Sequence, residues 1–295
     1  MTRKSRVVRQ VAVALGVAVA AVACSSDDKA DSAAAPPAVG SIPQLATMEG
    51  QALPLETYML QPDQSAKILG ARERMVEQCM TRQGFDFSFD LGASSGGTSS
   101  ADFTKSQSEM RYLIDARAAA SYGYHSPPLS AAEQASPPEP TAAEAQALQG
   151  TDGNGGCFAE VDAKLTERGV IIQDPALVVD INKGGMQRSL EDPRMKDAFT
   201  LWSRCMQERG YAYATPLDAS NDPRWEAAET ASPEEVATAV ADTECMVANN
   251  VAGIWFAVES AYQKREIEAN FEKLEEVRKA IDTSMRVAEE ITAQA

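Results

Sequence analysis

The sequence predicts an all-α exported protein: two disulfide-stapled helical units arising by internal duplication, a long C-terminal helix and a disordered N-terminal tether. Three observations lead there. A motif of Cys-Met, three residues, glycine and two spaced aromatics occurs twice, as CMTRQGFDF from Cys79 and CMQERGYAY from Cys205. Aromatic residues, which favour strands, make up only 6% of the chain, and alanine is abundant. Through the second half, apolar residues recur at three- and four-residue steps, the period of a helix.

The first residues give an address. Arg3, Lys4, Arg6 and Arg9 precede the apolar run VAVALGVAVAAV at 11–22. A membrane-spanning helix needs roughly 20 apolar residues, so a basic start, a short apolar core and small residues before Cys24 read as a signal peptide over 1–23. The chain has no Arg-Arg pair there, which favours general secretion over the twin-arginine route. The AVAC ending at Cys24 resembles the lipobox of bacterial lipoproteins, whose cysteine receives a diacylglyceryl group; Ala21 stands where that motif usually has a larger aliphatic residue. The alternative is plain secretion after Ala23. Residues 24–48, rich in Ser, Asp, Ala and Pro, are expected to be a disordered tether, because they bury too little apolar surface to offset ordering.

Charge and cysteines agree with export. Four of the 27 Lys and Arg leave with the signal, so 23 remain against 43 Asp and Glu, a formal charge of −20. Such a chain is repelled by nucleic acid and anionic lipid surfaces. Besides Cys24 there are four cysteines, an even number that implies two disulfides in an exported chain. If each motif copy is one structural unit, Cys79 pairs with Cys157 and Cys205 with Cys245.

The first unit, 49–190, opens with a Cys79-bearing helix over 63–83. Gly84 permits the left-handed exit, and the aromatics after it are expected to fold back over the helix end. A long insert holding GASSGGTSS and SPPLSAAEQASPPEP follows, then helices at AAEAQALQG, at CFAEVDAKLTERG and from Asp174-Pro175 to about Leu190. The second unit, 191–262, is the better punctuated. Asp192 caps a helix with Pro193 at its first position and Gly210 past its end. Ser232, Pro233 and Glu235 predict a capping box for the next. In 263–295, Ile267, Leu274, Ile281 and Ala288 recur every seven residues beside Asn270, Val277, Ser284 and Ile291. This is a coiled-coil-like seam with two polar breaks, and Glu275 and Lys279 add an i,i+4 pair. It is expected to lie along the protein's own body, with a partner-binding coiled coil as the alternative. Its removal is expected to leave the stapled body folded.

Few catalytic arrangements are open to this chain. His125 is the sole histidine, which excludes a two-histidine zinc site; in YGYHSPP it reads as a surface-loop residue. Ser26 and Lys29 match Ser-x-x-Lys only formally, since the companion motifs are missing. DGNGG at 152–156 begins like a calcium loop, but Gly156 and Ala163 stand where ligands belong. No catalytic residue, metal or cofactor is assigned. The remaining enzymatic possibility is a carboxylate-dependent hydrolase of cell-wall sugars, which requires two acids across a cleft with an aromatic such as Trp202, Trp225 or Trp255.

Taken in order, the lipobox-like start, the paired CMxxxG helix ends, RYLIDARAAASYGYH, the GGC before a helix, DPR with WSRCM, and VADTEC resemble a family of exported actinobacterial lipoproteins of uncharacterised activity. The likeness runs over roughly residues 50–262. It implies a mostly helical protein outside the cytoplasm, with Cys79, Cys157, Cys205 and Cys245 in disulfides and Cys24 as the lipid anchor; it implies no substrate. The expected function is a lipid-anchored, non-enzymatic binding module on the outer face of the cytoplasmic membrane. Its expected partner is an envelope protein or a wall fragment.

Overall fold

Proline starts four helices in the computed structural model, which describes residues 35–89, 115–128, 139–151, 153–227 and 229–294. A ring that fixes φ and lacks an N–H is at no disadvantage in a first turn. After a 3-10 turn at Pro54–Tyr58 come α1 (Pro62–Arg82), α2 (Ala116–Tyr122), α3 (Ala142–Gln149), α4 (Gly156–Glu167) and α5 (Ala176–Glu191). Then follow α6 (Pro193–Glu208), the short α7 (Pro216–Ser220), α8 (Pro233–Ala248), α9 (Val251–Ala269) and α10 (Phe271–Ala293). No strand occurs among the described residues.

The two motif copies end their helices in the same way. Gly84 and Gly210 have φ of +89° and +92°. Phe85 N–H reaches back to the Met80 carbonyl at 3.1 Å, and Tyr211 N–H to the Met206 carbonyl at 3.0 Å. These are the six-to-one bonds of a Schellman stop. The reversal lays Phe85, Phe87 and Phe89 on one core and Tyr211 and Tyr213 on another. A third stop, at Gly169, has the same bond from Val170 to Leu165.

Disulfides join Cys79 to Cys157 and Cys205 to Cys245, closing loops of 78 and 40 residues. Each contributes about 4 kcal/mol in the chain-entropy account. Around the first, α1, α3 and α4 bury Ile68, Val76, Met80, Leu148, Val161 and Leu165. Around the second, α6, α8 and α9 bury Met195, Trp202, Met206, Met246, Trp255 and Val258. A third cluster forms where the 3-10 turn, α5 and α10 meet, with Leu55, Val178, Ile181 and Leu274 at its centre.

The seam of 263–295 is divided between two helices. Asn270, at φ −121° and ψ 19°, separates α9 from α10. The first half of α10 enters the third cluster through Leu274, Val277 and Ile281; its second half enters the first through Val287, Ala288 and Ile291. Ser284, a polar break in the pattern, accepts the Ile171 N–H at 2.9 Å and donates to the Ala280 carbonyl. Glu275 pairs with Arg278, not with Lys279. The expectation that the body survives without 263–295 is therefore corrected, because that segment supplies part of two cores.

The N-terminal stretch is also partly reassigned. The first residues of the tether expected over 24–48 lie outside those described. From Pro36 onward the chain is an extended strap seated on the body. Val39, Leu45 and buried Met48 pack on the second core. The Arg194 guanidinium donates to the Pro37 carbonyl at 3.1 Å, while Asn250 donates to Pro43 and accepts from the Leu45 N–H. Gly253 makes this crossing possible: a Cβ there would collide with the Pro43 carbonyl.

Leu274→Ala is expected to cost about 3 kcal/mol, read as a lowered midpoint in urea unfolding with an unchanged slope. Removing 271–295 is expected to abolish cooperative unfolding altogether, since several such losses exceed a typical stability of about 5–15 kcal/mol. A truncated chain that still unfolds in one sharp transition would show that α10 is an accessory.

Candidate functional site

The sole histidine is not a free surface residue. α2 packs on α8, and the capping box expected at Ser232 is only half made: Ser232 Oγ accepts the Glu235 N–H at 3.1 Å. The Glu235 carboxylate turns instead to α2, accepting the Tyr124 N–H at 2.8 Å and meeting His125 Nδ1 at 2.7 Å. Glu235 is buried and His125 half-buried, so the surface-loop reading of His125 is corrected. Two turns further along α8, buried Asp242 accepts the Tyr124 hydroxyl at 3.0 Å and the Trp202 indole N–H at 2.8 Å. Tyr124 also stacks on Trp225, with ring centroids 6.1 Å apart.

Burial governs the protons here. Desolvation pushes the Asp242 carboxyl up to about 7, and the bonds from Tyr124 and Trp202 only partly oppose it. The Tyr124 phenol is raised too, by burial and then by the Asp242 charge. Asp192 behaves oppositely. It caps α6, pairs with Arg194 at 2.6 Å and accepts the Tyr262 hydroxyl at 3.1 Å. The Arg194 bonds hold its carboxyl below the usual range.

The residues named for a hydrolase lie inward. Trp202, Trp225 and Trp255 are all buried, and each indole N–H has an acceptor: Asp242, the Ala219 carbonyl and Ser189 Oγ respectively. Asp242, the acid bonded to the Trp202 indole, is committed to the α2–α8 contact through Tyr124. Cys24, Ser26 and Lys29 lie outside the described residues. No group of three or more metal-ligating side chains is gathered among the described residues, and no described helix is long and apolar enough to cross a membrane.

The surface of the described residues includes two concavities. A groove of about 1090 Å³ runs between α1 and the end of α10; charged side chains such as Lys67, Arg74 and Glu289 flank Gly70, Thr81 and Ala288. Glu73 in this groove has its carboxyl raised by burial and then by neighbouring Glu77. A second cavity, of about 560 Å³, lies between the strap and α9. Its walls are Pro37, Ala38 and Pro43 on one side and Phe256, Ala257 and Ser260 on the other, with Lys264, Arg265 and Glu268 toward the end of α9. Sequence reasoning missed this site because it treated 36–48 as tether. The apolar Val39, Leu45 and Met48 spaced among prolines were the available clue.

No protein-family model, curated protein or solved structure matches the chain.

Asp242→Asn keeps an oxygen for Trp202 and a polar group for Tyr124 while removing the charge. With its folded-state pKa raised above the unfolded value, Asp242 contributes stability present below about pH 4 and lost as pH rises through about 7. The stability difference between wild type and D242N is therefore expected to move in favour of the variant across that window and to level off above it. Urea midpoints measured at intervals of pH check this; parallel profiles would reject the assignment.

Proposed function

We propose that this chain is a lipid-anchored envelope protein whose helical body acts as a non-enzymatic binding module on the outer face of the cytoplasmic membrane. The observation that carries the reading is the pairing of all four downstream cysteines in two disulfides. Such bonds persist in oxidising compartments, and they account for every cysteine of the chain but Cys24. Its place at the end of AVAC, after a short apolar run, supports lipidation. A diacylglyceryl group supplies the two chains that stable anchoring takes.

The binding role is supported by what the chemistry-bearing side chains already do. His125, Glu235, Asp242 and Asp192 hold helices together, while the outward concavities stay open. The partner in this reading is an envelope protein or a wall fragment, reached from the membrane through the lipid on Cys24. In this reading the chain is one of the exported actinobacterial lipoproteins that its motifs resemble.

In detergent phase separation of the exported protein, wild type is expected in the detergent phase and Cys24→Ala in the aqueous phase or the culture medium. Equal partitioning of the two would reject the anchor. Crosslinking in living cells followed by mass spectrometry then identifies the partner.

A further inference from the structure

α8 is the helix on which α2 packs, and their contact holds two carboxylates and the protein's sole histidine. Glu235 and Asp242 lie two turns apart on one face of α8, and both are buried. The Glu235 carboxylate sits so close to Gly123, the residue after α2, that a Cβ there would come within 2.7 Å of its oxygen. It accepts the Tyr124 N–H and meets His125 Nδ1, while Asp242 accepts the Tyr124 hydroxyl. The hold on α2 therefore runs through three consecutive residues, with Ala119 buried beside them.

No lysine or arginine pairs with either carboxylate among the described residues. On the α6 side Asp242 meets the Trp202 indole, which does not titrate. Beyond Tyr124, the ionisable groups Tyr213, Asp222, Arg224 and Glu234 bind one another, Arg224 donating to the other three. The balance of charge inside the contact is thus left to His125.

That balance reverses with pH. With His125 protonated and Asp242 neutral, the imidazolium offsets Glu235 and the contact carries no net charge. The neutral acid keeps its bond to Tyr124, because a phenolic oxygen accepts as well as donates. Histidine is the side chain whose ordinary titration falls between pH 5 and 8. Across that range His125 gives up its charge and Asp242, its carboxyl pushed by burial up to about 7, acquires one. The same contact then holds two buried negative charges and no positive one. Buried charge without a partner is unfavourable, and moving α2 away opens both carboxylates to water.

We propose that α2 is a pH-operated latch, closed on α8 in mildly acidic surroundings and released as the pH rises through neutrality. Release uncovers the Trp225 ring, on which Tyr124 stacks, and the face of α8 around Asp242. This goes beyond the binding-module reading and does not rest on it.

Hydrogen exchange of the disulfide-bonded protein, corrected for the intrinsic rate at each pH, tests the latch. The Tyr124 amide reports docking directly, since it donates to Glu235, and the amide of Val258, buried in α9, reports the body. Tyr124 protection is expected to fall at least about tenfold between about pH 5.5 and 8, as the titration of one such buried acid implies. It is expected to stay below that of Val258 throughout. His125→Gln and Asp242→Asn, which keep hydrogen-bonding groups, are each expected to shrink the fall, and the double variant to abolish it. Three results would overturn the latch: protection of Tyr124 that is level across this range, a fall that survives in the double variant, or equal protection of Tyr124 and Val258 at every pH, which would mean that α2 leaves only when the whole body unfolds. The first and last of these need only the wild type.

Discussion

Each half of the body depends on a sulfur–sulfur bond placed one turn before a helix ends, and that placement works only because the helix then stops. At Gly84 and Gly210 the left-handed backbone turns the chain through a Schellman bond, so the aromatics that follow return to the core beside the cysteine. Extending either helix by one turn would carry Phe85 or Tyr211 about 5 Å along the axis and leave the apolar surface around the disulfide uncovered. The constraint is strict because the chain has little else to cover it with: three tryptophans, eight phenylalanines and seven tyrosines in 295 residues. A chain with a formal charge of −16 also repels itself when compact. Cross-linking the unfolded state offsets that repulsion without adding to the core.

Two stapled halves do not by themselves make one body. They are joined by the chain's two ends. α9 belongs to the second half, α10 reaches back through the third cluster into the first, and the strap crosses α9 from the opposite direction. At these crossings several buried polar groups are paired. Gln263 accepts the Leu55 N–H at 3.0 Å and donates to Glu259 at 3.2 Å. Ser284 accepts from Ile171, and Asp192 gathers Arg194 and Tyr262 while Arg194 holds the strap. Apolar contacts alone would let α10 slide along α1 at little cost. A buried amide or hydroxyl that must find its one partner fixes the register.

The helices were legible where local chemistry decides them. Pro193 and Pro233 begin helices, Ser232 and Asp192 cap them, and the duplicated glycines end them, all through interactions within a few residues. The features that escaped depend on distant partners. Glu235 has the spacing of a capping box, but an amide and a histidine more than a hundred residues away compete for its carboxylate and win. Asn270 fits the seven-residue pattern and yet ends a helix, because the chain there changes direction to reach another cluster. Residues 36–48 have the composition of a linker, and three apolar side chains hold them down. Local sequence carries none of these, since each is set by what lies opposite.

The same distinction, between what is set locally and what is set by distant partners, applies to the buried polar groups. Asp242 sits in a low-dielectric site with two donors aimed at it and is fully occupied within the fold. Removing its charge leaves the contacts in place, so its chemistry belongs to stability. Ser260 is the opposite case, a buried hydroxyl with no partner among the described residues. Seven other helical hydroxyls in the chain bond the carbonyl one turn back. Alanine would fit the same space without stranding a donor, so Ser260 costs the fold stability, and the paired amide and guanidinium groups that hold the strap and the 3-10 turn in place offset that cost.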